Sequence, residues 1–195
     1  MIILAETRED VRERILLAAE KLFAERGFNG VSVQEITEMA GVNKAMVYYY
    51  FQSKLSLYRE LLKVGLQSVK HALDEAIKQT TVEQRLRTYL TTYYEVVAAR
   101  PLLARLVYRE VLGYGSQCDP DLPGQLSIYI KRLQEIINEG QRLGELKPLD
   151  AMLTAYSLFG MSNIFVTAHI AGSKALDVPV TVEHIVQLFL HGAAV

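Results

Sequence analysis

Cysteine is almost absent, since Cys118 is the only one in 195 residues. An intrachain disulfide and a cysteine-built zinc cluster are therefore both excluded. The charge of the neighbouring Asp119 and Asp121 is expected to discourage thiol reactivity, and a lone thiol suits a reducing cytoplasm. Net charge is equally scarce, at −1, so bulk charge points to neither a polyanion nor an anionic membrane surface. The four histidines, His71, His169, His184 and His191, stand at no metal-ligand spacing. Glu183 and His184 are adjacent, and adjacent residues on a helix do not share a face. Catalytic motifs are missing too: no G-x-S-x-G, no Walker A, no H-E-x-x-H and no glycine-rich dinucleotide fingerprint. Neither an enzyme nor a metal or cofactor site is expected. There is no strand alternation, no internal repeat and no low-complexity tract. The first residues hold too few apolar side chains for a signal-peptide core, and no basic stretch precedes them.

What is present is helical pattern, and residues 32–54 carry most of the information. Ser32 with Glu35 three residues on is a capping box that starts a helix. Val33, Ile36 and Ala40 give that helix one apolar stripe. Gly41 ends it in a left-handed conformation, Val42 plugs the turn, and Asn43 caps the next helix. That second helix, residues 44–51, carries Lys44, Ala45, Met46 and Tyr49 on its expected outer face. Two short helices joined by such a turn form a helix-turn-helix, whose second helix reads the DNA major groove.

Four blocks extend the pattern over more than forty residues: I-L-x-A-A-x-x-L-F (15–23), G-F-x-G-V-S-V (27–33), I-x-x-x-A-G-V (36–42) and Y-x-Y-F-x-S-K (48–54). In these blocks the segment 15–57 closely resembles the DNA-binding domain of TetR/AcrR-type bacterial transcriptional regulators. Ala45 stands where that family often has glycine, and Asn43 where it often has serine. Both keep the cap and the small groove-facing residue, so they bear on sequence preference. The resemblance implies an all-α chain with a DNA-binding domain at 1–54 and a ligand-binding and dimerisation domain at 55–195. It also implies a homodimer binding a palindromic operator.

Ile15, Leu22, Phe23, Ile36, Val47 and Phe51 read as core. Three successive tyrosines, Tyr48, Tyr49 and Tyr50, cannot all face inward on one helix. Phosphate contacts commonly come from tyrosine, lysine and helix N-termini, so Tyr48, Tyr50 and Lys54 are expected at the DNA backbone. Lys44 is the candidate for a guanine contact, and Ala45 or Met46 for a thymine methyl. Ser32, Gln34 and Asn43 complete the expected DNA-facing set. Charge adds little: residues 1–54 hold seven lysines and arginines against eight acids. The distribution is more informative, because 43–54 holds two lysines and no acid.

Beyond Lys54 the periodicity predicts helices over 55–77, from a Thr81–Gln84 capping box with Leu86, Tyr89, Leu90, Tyr93 and Val97 on one face, and over 101–112, 122–143, 150–171 and 181–191. Residues 113–123 are dense in turn formers and read as a loop. The stretch 151–173 holds no Asp, Glu, Lys or Arg, and reaches the minimum length of a membrane span. Thr154, Ser157, Ser162, Asn163, Thr167 and His169 interrupt it, and no positive flank brackets it. A helix apolar all round also suits burial between subunits, and the resemblance places the last two long helices in a dimeric four-helix bundle. The interface reading is preferred. Ligand pockets between bundle helices are apolar and aromatic with a few polar groups. Tyr89, Tyr93, Tyr108 and Tyr129, with Asn163, are therefore candidates for binding a small, mostly apolar effector, against the plainer reading of core tyrosines with satisfied hydroxyls. The expected function is a cytoplasmic, ligand-responsive repressor. Its rival is a helical ligand-binding or scaffold protein whose helix-turn-helix makes only protein contacts.

Overall fold

The structure is a computed structural model, and it describes residues 8–112, 122–172 and 176–193. Among these residues it holds nine α-helices and no sheet: α1 (Arg8–Arg26), α2 (Val33–Ala40), α3 (Lys44–Phe51), α4 (Lys54–Ile77), α5 (Val82–Ala99), α6 (Pro101–Leu112), α7 (Leu122–Arg142), α8 (Ala151–Ile170) and α9 (Val178–Ala193). The all-α expectation is met. Cys118 and most of the expected 113–123 loop lie outside the described residues.

Local chemistry sets most helix boundaries. At α5 the Thr81 hydroxyl accepts from the Gln84 N–H at 3.2 Å while the Thr81 N–H donates to Gln84 Oε1 at 3.2 Å. That exchange satisfies two N–H groups that a helix start leaves without partners. The last helix begins earlier than Thr181, where the sequence places it. Asp177 is its cap, accepting from the Val180 N–H at 3.1 Å. Pro179 therefore sits in the first turn, where a missing N–H costs nothing, instead of separating two helices.

By Cα proximity the chain forms two compact units. Among the described residues the first comprises 8–65 with 102–112, and the second 66–101 with 122–193. Helix α4 contributes residues to both. The first unit has a core of Ile15, Leu22, Phe23, Ile36, Val47, Phe51 and Leu57, joined by Leu103 and Leu106 from α6. Every residue read from sequence as core is buried there. Each such side chain removed from water contributes about 1.5–3 kcal/mol before entropy is counted. In the second unit α5 packs against α9 and α7 against α8, around Leu86, Leu90, Leu133, Ile137, Leu158 and Val186.

Helix α8 handles its polar residues internally. The hydroxyls of Ser157, Ser162 and Thr167 each donate to the carbonyl four residues back, at 2.9, 2.7 and 3.0 Å. The Asn163 amide does the same to Phe159 at 2.6 Å. Such back-bonding satisfies a polar side chain without a partner from another helix. By length and composition α8 could cross a membrane, and 22% of its most apolar window is buried within the chain.

Candidate nucleic-acid interface and effector site

Helix α2 is held at both ends. Glu35 N–H donates to Ser32 Oγ at 3.2 Å, and Ser32 N–H donates to Glu35 Oε2 at 2.8 Å. The Ser32 hydroxyl also donates to Glu35 Oε2 at 2.8 Å, so it is engaged within the cap. Arg26 Nη1 reaches Glu35 Oε1 at 2.7 Å. The hydrogen bonds from Ser32, and then Arg26, hold the Glu35 carboxyl down at about 2. At the other end Gly41 is left-handed, φ 64. Its N–H donates to Glu38 at 3.3 Å and the Val42 N–H to Thr37 at 3.0 Å, a Schellman closure. Gln34 is exposed and donates to Glu38 Oε1 at 3.0 Å.

Asn43 caps α3 by accepting from the Ala45 N–H at 2.7 Å. Val47 and Phe51 face the core, 0% and 5% exposed. Opposite them, Lys44, Ala45, Tyr48 and Tyr49 form one solvent-facing strip, as helical spacing requires. Tyr48 is 45% exposed and Tyr49 64%. Lys44 forms no ion pair among the described residues. Met46 and Tyr50 are half-buried against the core, and the Tyr50 ring meets that of Tyr49 edge-on at 5.0 Å. Two of the three tyrosines are therefore free to meet a partner, and the third is largely a packing residue.

Lys54 has a different environment from the one its sequence position suggests. Its ammonium donates to the carbonyls of Phe28 and Val31, both at 2.9 Å, and lies 4.2 Å from the centre of the Phe28 ring. Two of its three donors are thus held by the α1–α2 connection, and the side chain is half-buried. The expectation of a solvent-facing phosphate contact is amended accordingly: Lys54 ties the start of α4 to the segment that leads into α2. Just before it, Gln52 has φ 64 and ψ −37, and the Ser53 N–H donates to the Phe51 carbonyl at 2.7 Å. This is a γ-turn of the strained, positive-φ kind, which no residue type in the sequence announces.

Tyr89 and Tyr93 lie one turn apart on α5, with rings stacked at 5.8 Å and only 3° from parallel. The Tyr93 hydroxyl donates to Asn163 Oδ1 on α8 at 2.8 Å. The structure therefore brings together Tyr89, Tyr93 and Asn163, all in the second unit. Tyr129 is buried and its hydroxyl donates to the Leu66 carbonyl at 3.0 Å. Tyr108 belongs to the first unit. Tyr94, which the sequence reading left out, is fully buried, and its hydroxyl donates to the Ser162 carbonyl at 2.8 Å. Burial pushes the Tyr89, Tyr94 and Tyr129 phenols up. Tyr89 and Tyr93 are 2% and 6% exposed, so their stacked rings pack inside the second unit.

Residues 15–61 match the family described as bacterial regulatory proteins, tetR family, and residues 79–167 match the one described as tetracyclin repressor-like, C-terminal domain. The chain is 25% identical to the fatty acid metabolism regulator protein of Bacillus subtilis, over 92% of this chain and 93% of that protein. It is 30% identical to the transcriptional activator FasR of Mycolicibacterium smegmatis over 52% of this chain, and there spans 47% of the longer relative. The crystal structure of FadR from Bacillus subtilis in complex with stearoyl-CoA has the same fold, with a TM-score of 0.79 at 22% identity over 92% of this chain and 98% of that one. With both halves of its fold matched and a solvent-facing strip on the second helix of a capped helix-turn-helix, the chain belongs to the tetR family and is a DNA-binding transcriptional regulator.

Proposed function

We propose that the protein is a homodimeric repressor that leaves a palindromic operator when a small, mostly apolar effector binds. The observation that carries the DNA half of this reading is the α3 strip of Lys44, Ala45, Tyr48 and Tyr49. A scaffold has no need for an unpaired lysine and two exposed tyrosines beside a small residue on one face. Lys44 reads a guanine edge and Ala45 a thymine methyl, while the Tyr48 hydroxyl bonds phosphate. Gln34, Asn43 and Ser32 line the approach, and Lys54 holds the turn in place from behind.

The dimer half rests on α8 and α9. Leu153, Ile164, Val180 and Leu188 are 66%, 60%, 62% and 57% exposed, which is a costly face to leave in water. A groove of about 410 Å³ runs between these helices, lined by Leu149, Leu153, Met161, Leu188 and Phe189 among others. Because the α8 hydroxyls back-bond to their own helix, this face can pair with a second copy without stranding polar groups. The effector class is supported by the Tyr89–Tyr93–Asn163 cluster together with the relatives. One relative along nearly the whole chain regulates fatty acid metabolism, and a fold neighbour binds stearoyl-CoA. A long acyl chain ending in a polar head is the effector this reading favours. The protein acts in the cytoplasm, where the chromosome is, and performs no catalysis of its own.

Selection from a random DNA pool by the purified protein tests the reading. Half-sites should emerge about one helical turn apart, or a multiple of it. Lys44→Ala should relax preference at one position per half-site, and Tyr48→Phe should weaken all sequences alike. Adding palmitoyl- or stearoyl-CoA should release the selected DNA. Enrichment of no sequence above background at moderate salt would leave the scaffold reading in its place. Tighter binding with ligand would instead favour an activator or corepressor-dependent regulator, as the name of the FasR relative suggests.

A further inference from the structure

Arg109 on α6 is 86 residues along the chain from Phe23 on α1, yet its guanidinium donates to the Phe23 carbonyl from Nη1 at 3.0 Å. It donates to the Ala24 carbonyl from Nη2 at 3.1 Å. These carbonyls lie in the last turn of α1, where the helix dipole attracts a cation, and the Phe23 carbonyl also accepts from the Gly27 N–H at 2.8 Å. Gly27 follows immediately, and a Cβ there would stand 2.9 Å from Arg109 Nη1. The next residue of α6 makes a second tie: the Tyr58 hydroxyl donates to Glu110 Oε1 at 2.6 Å. Tyr58 is fully buried, edge-on to Phe23 at 5.0 Å and to Phe28 at 5.1 Å. At Gly65 a Cβ would stand 2.4 Å from Val107 Cγ2, so α4 and α6 approach as closely as backbones allow.

We propose that Arg109 is a positioning residue for DNA reading, and that its grip on the end of α1, backed by Glu110 on Tyr58, sets the attitude of the helix-turn-helix on α4 and α6. The chain passes from the gripped carbonyls through Phe28 and Val31, which Lys54 holds, directly into α2 and α3. A displacement of α6 therefore moves the end of α1 and carries the recognition helix with it. The two-pronged guanidinium suits this task better than a lysine, whose ammonium is a single point charge. In a dimer the attitude of each helix-turn-helix enters the spacing at which the two recognition helices meet DNA. The inference rests on the proposed reading of a dimer on spaced half-sites.

The test uses full-length protein and the operator selected by the wild type, alongside versions with the central spacer one base pair longer or shorter. Wild type should favour its own spacing by about ten-fold or more, the cost of a single misplaced contact. Arg109→Met should recognise the same half-site sequence, while its preference for spacing falls to about two-fold, with Arg109→Lys intermediate and Tyr58→Phe also reduced. Urea unfolding corrects each affinity for the folded fraction, so lost stability alone cannot mimic the result. Should Arg109→Met fail to fold, Arg109→Lys and Tyr58→Phe give the same readout. Spacing preference as sharp as wild type in the folded variants overturns the positioning role. A wild type indifferent to spacing overturns the dimeric reading, and the positioning role with it.

Discussion

Three hydrogen bonds converge on the Glu35 carboxylate: the Ser32 N–H, the Ser32 hydroxyl and Arg26. They lower its pKa from the ordinary 4.5 to about 2, and a depressed carboxylate pKa stabilises the fold wherever the unfolded chain would be ionised too. The contribution is therefore complete above the ordinary carboxylate range and is lost as pH falls from 4.5 towards 2. In urea unfolding, Glu35→Gln should be less stable than wild type at neutral pH, with the gap closing as pH drops through that window. A gap that stays constant with pH would show that the carboxylate charge plays no part. Gln52 is the opposite case, a residue that costs stability. Its φ of 64 lies where a side chain is strained and glycine is not. Gln52→Gly should gain up to about 1 kcal/mol, the relief of that strain less the extra entropy of glycine in the unfolded chain. A lower unfolding midpoint for the glycine variant would mean that the Gln52 side chain contributes more than its strain removes.

Elements inherit their roles from such local bonds. Helix α3 turns two tyrosines outward and one onto the core because Val47 and Phe51, four residues apart, fix which side is buried. Helix α8 exposes Leu153, Tyr156 and Ile164 while bonding its hydroxyls to its own carbonyls, which suits a protein interface. Leu153→Glu should place a charge in that interface and yield a monomer in sedimentation at micromolar concentration. It should lose most operator affinity although α2 and α3 are untouched, since burying an unpaired charge costs several kcal/mol, about 3–5 by order of magnitude. A variant that still sediments as a dimer would remove α8 from the interface. Wild-type protein extracted only with detergent would return α8 to the membrane reading.

At the scale of the whole molecule, α4 supplies residues to both compact units, and the proposed release of DNA by effector requires coupling between them. Coupling between distinct sites is typically ~1–3 kcal/mol, which predicts a five- to 150-fold loss of operator affinity when effector saturates. Linkage requires operator DNA to weaken effector binding by the same factor, and calorimetry with and without DNA checks the equality. Tyr93→Phe removes only the hydroxyl that donates to Asn163 at 2.8 Å. It should blunt the response to a ligand with a polar head while leaving ligand-free operator binding intact. An unchanged ligand response would leave Tyr93 as a core tyrosine and remove it from the effector site.

The parts of this protein legible in its sequence are those whose partners lie within one turn. Ser32 and Glu35, or Thr81 and Gln84, are three residues apart, so any helix that starts there closes the same bonds. The periodicity of Ile15, Leu22 and Phe23 and of Val47 and Phe51 likewise names a buried face before its partner is known. Tertiary structure alone decided what those faces meet. Lys54 finds its carbonyls 26 and 23 residues away, so a lysine that reads as a phosphate contact becomes a brace. Tyr93 meets Asn163 across 70 residues, and Arg109 meets α1 across 86. Bonds between neighbours in sequence form within each helix by itself, whereas bonds between distant residues exist only after the helices have packed.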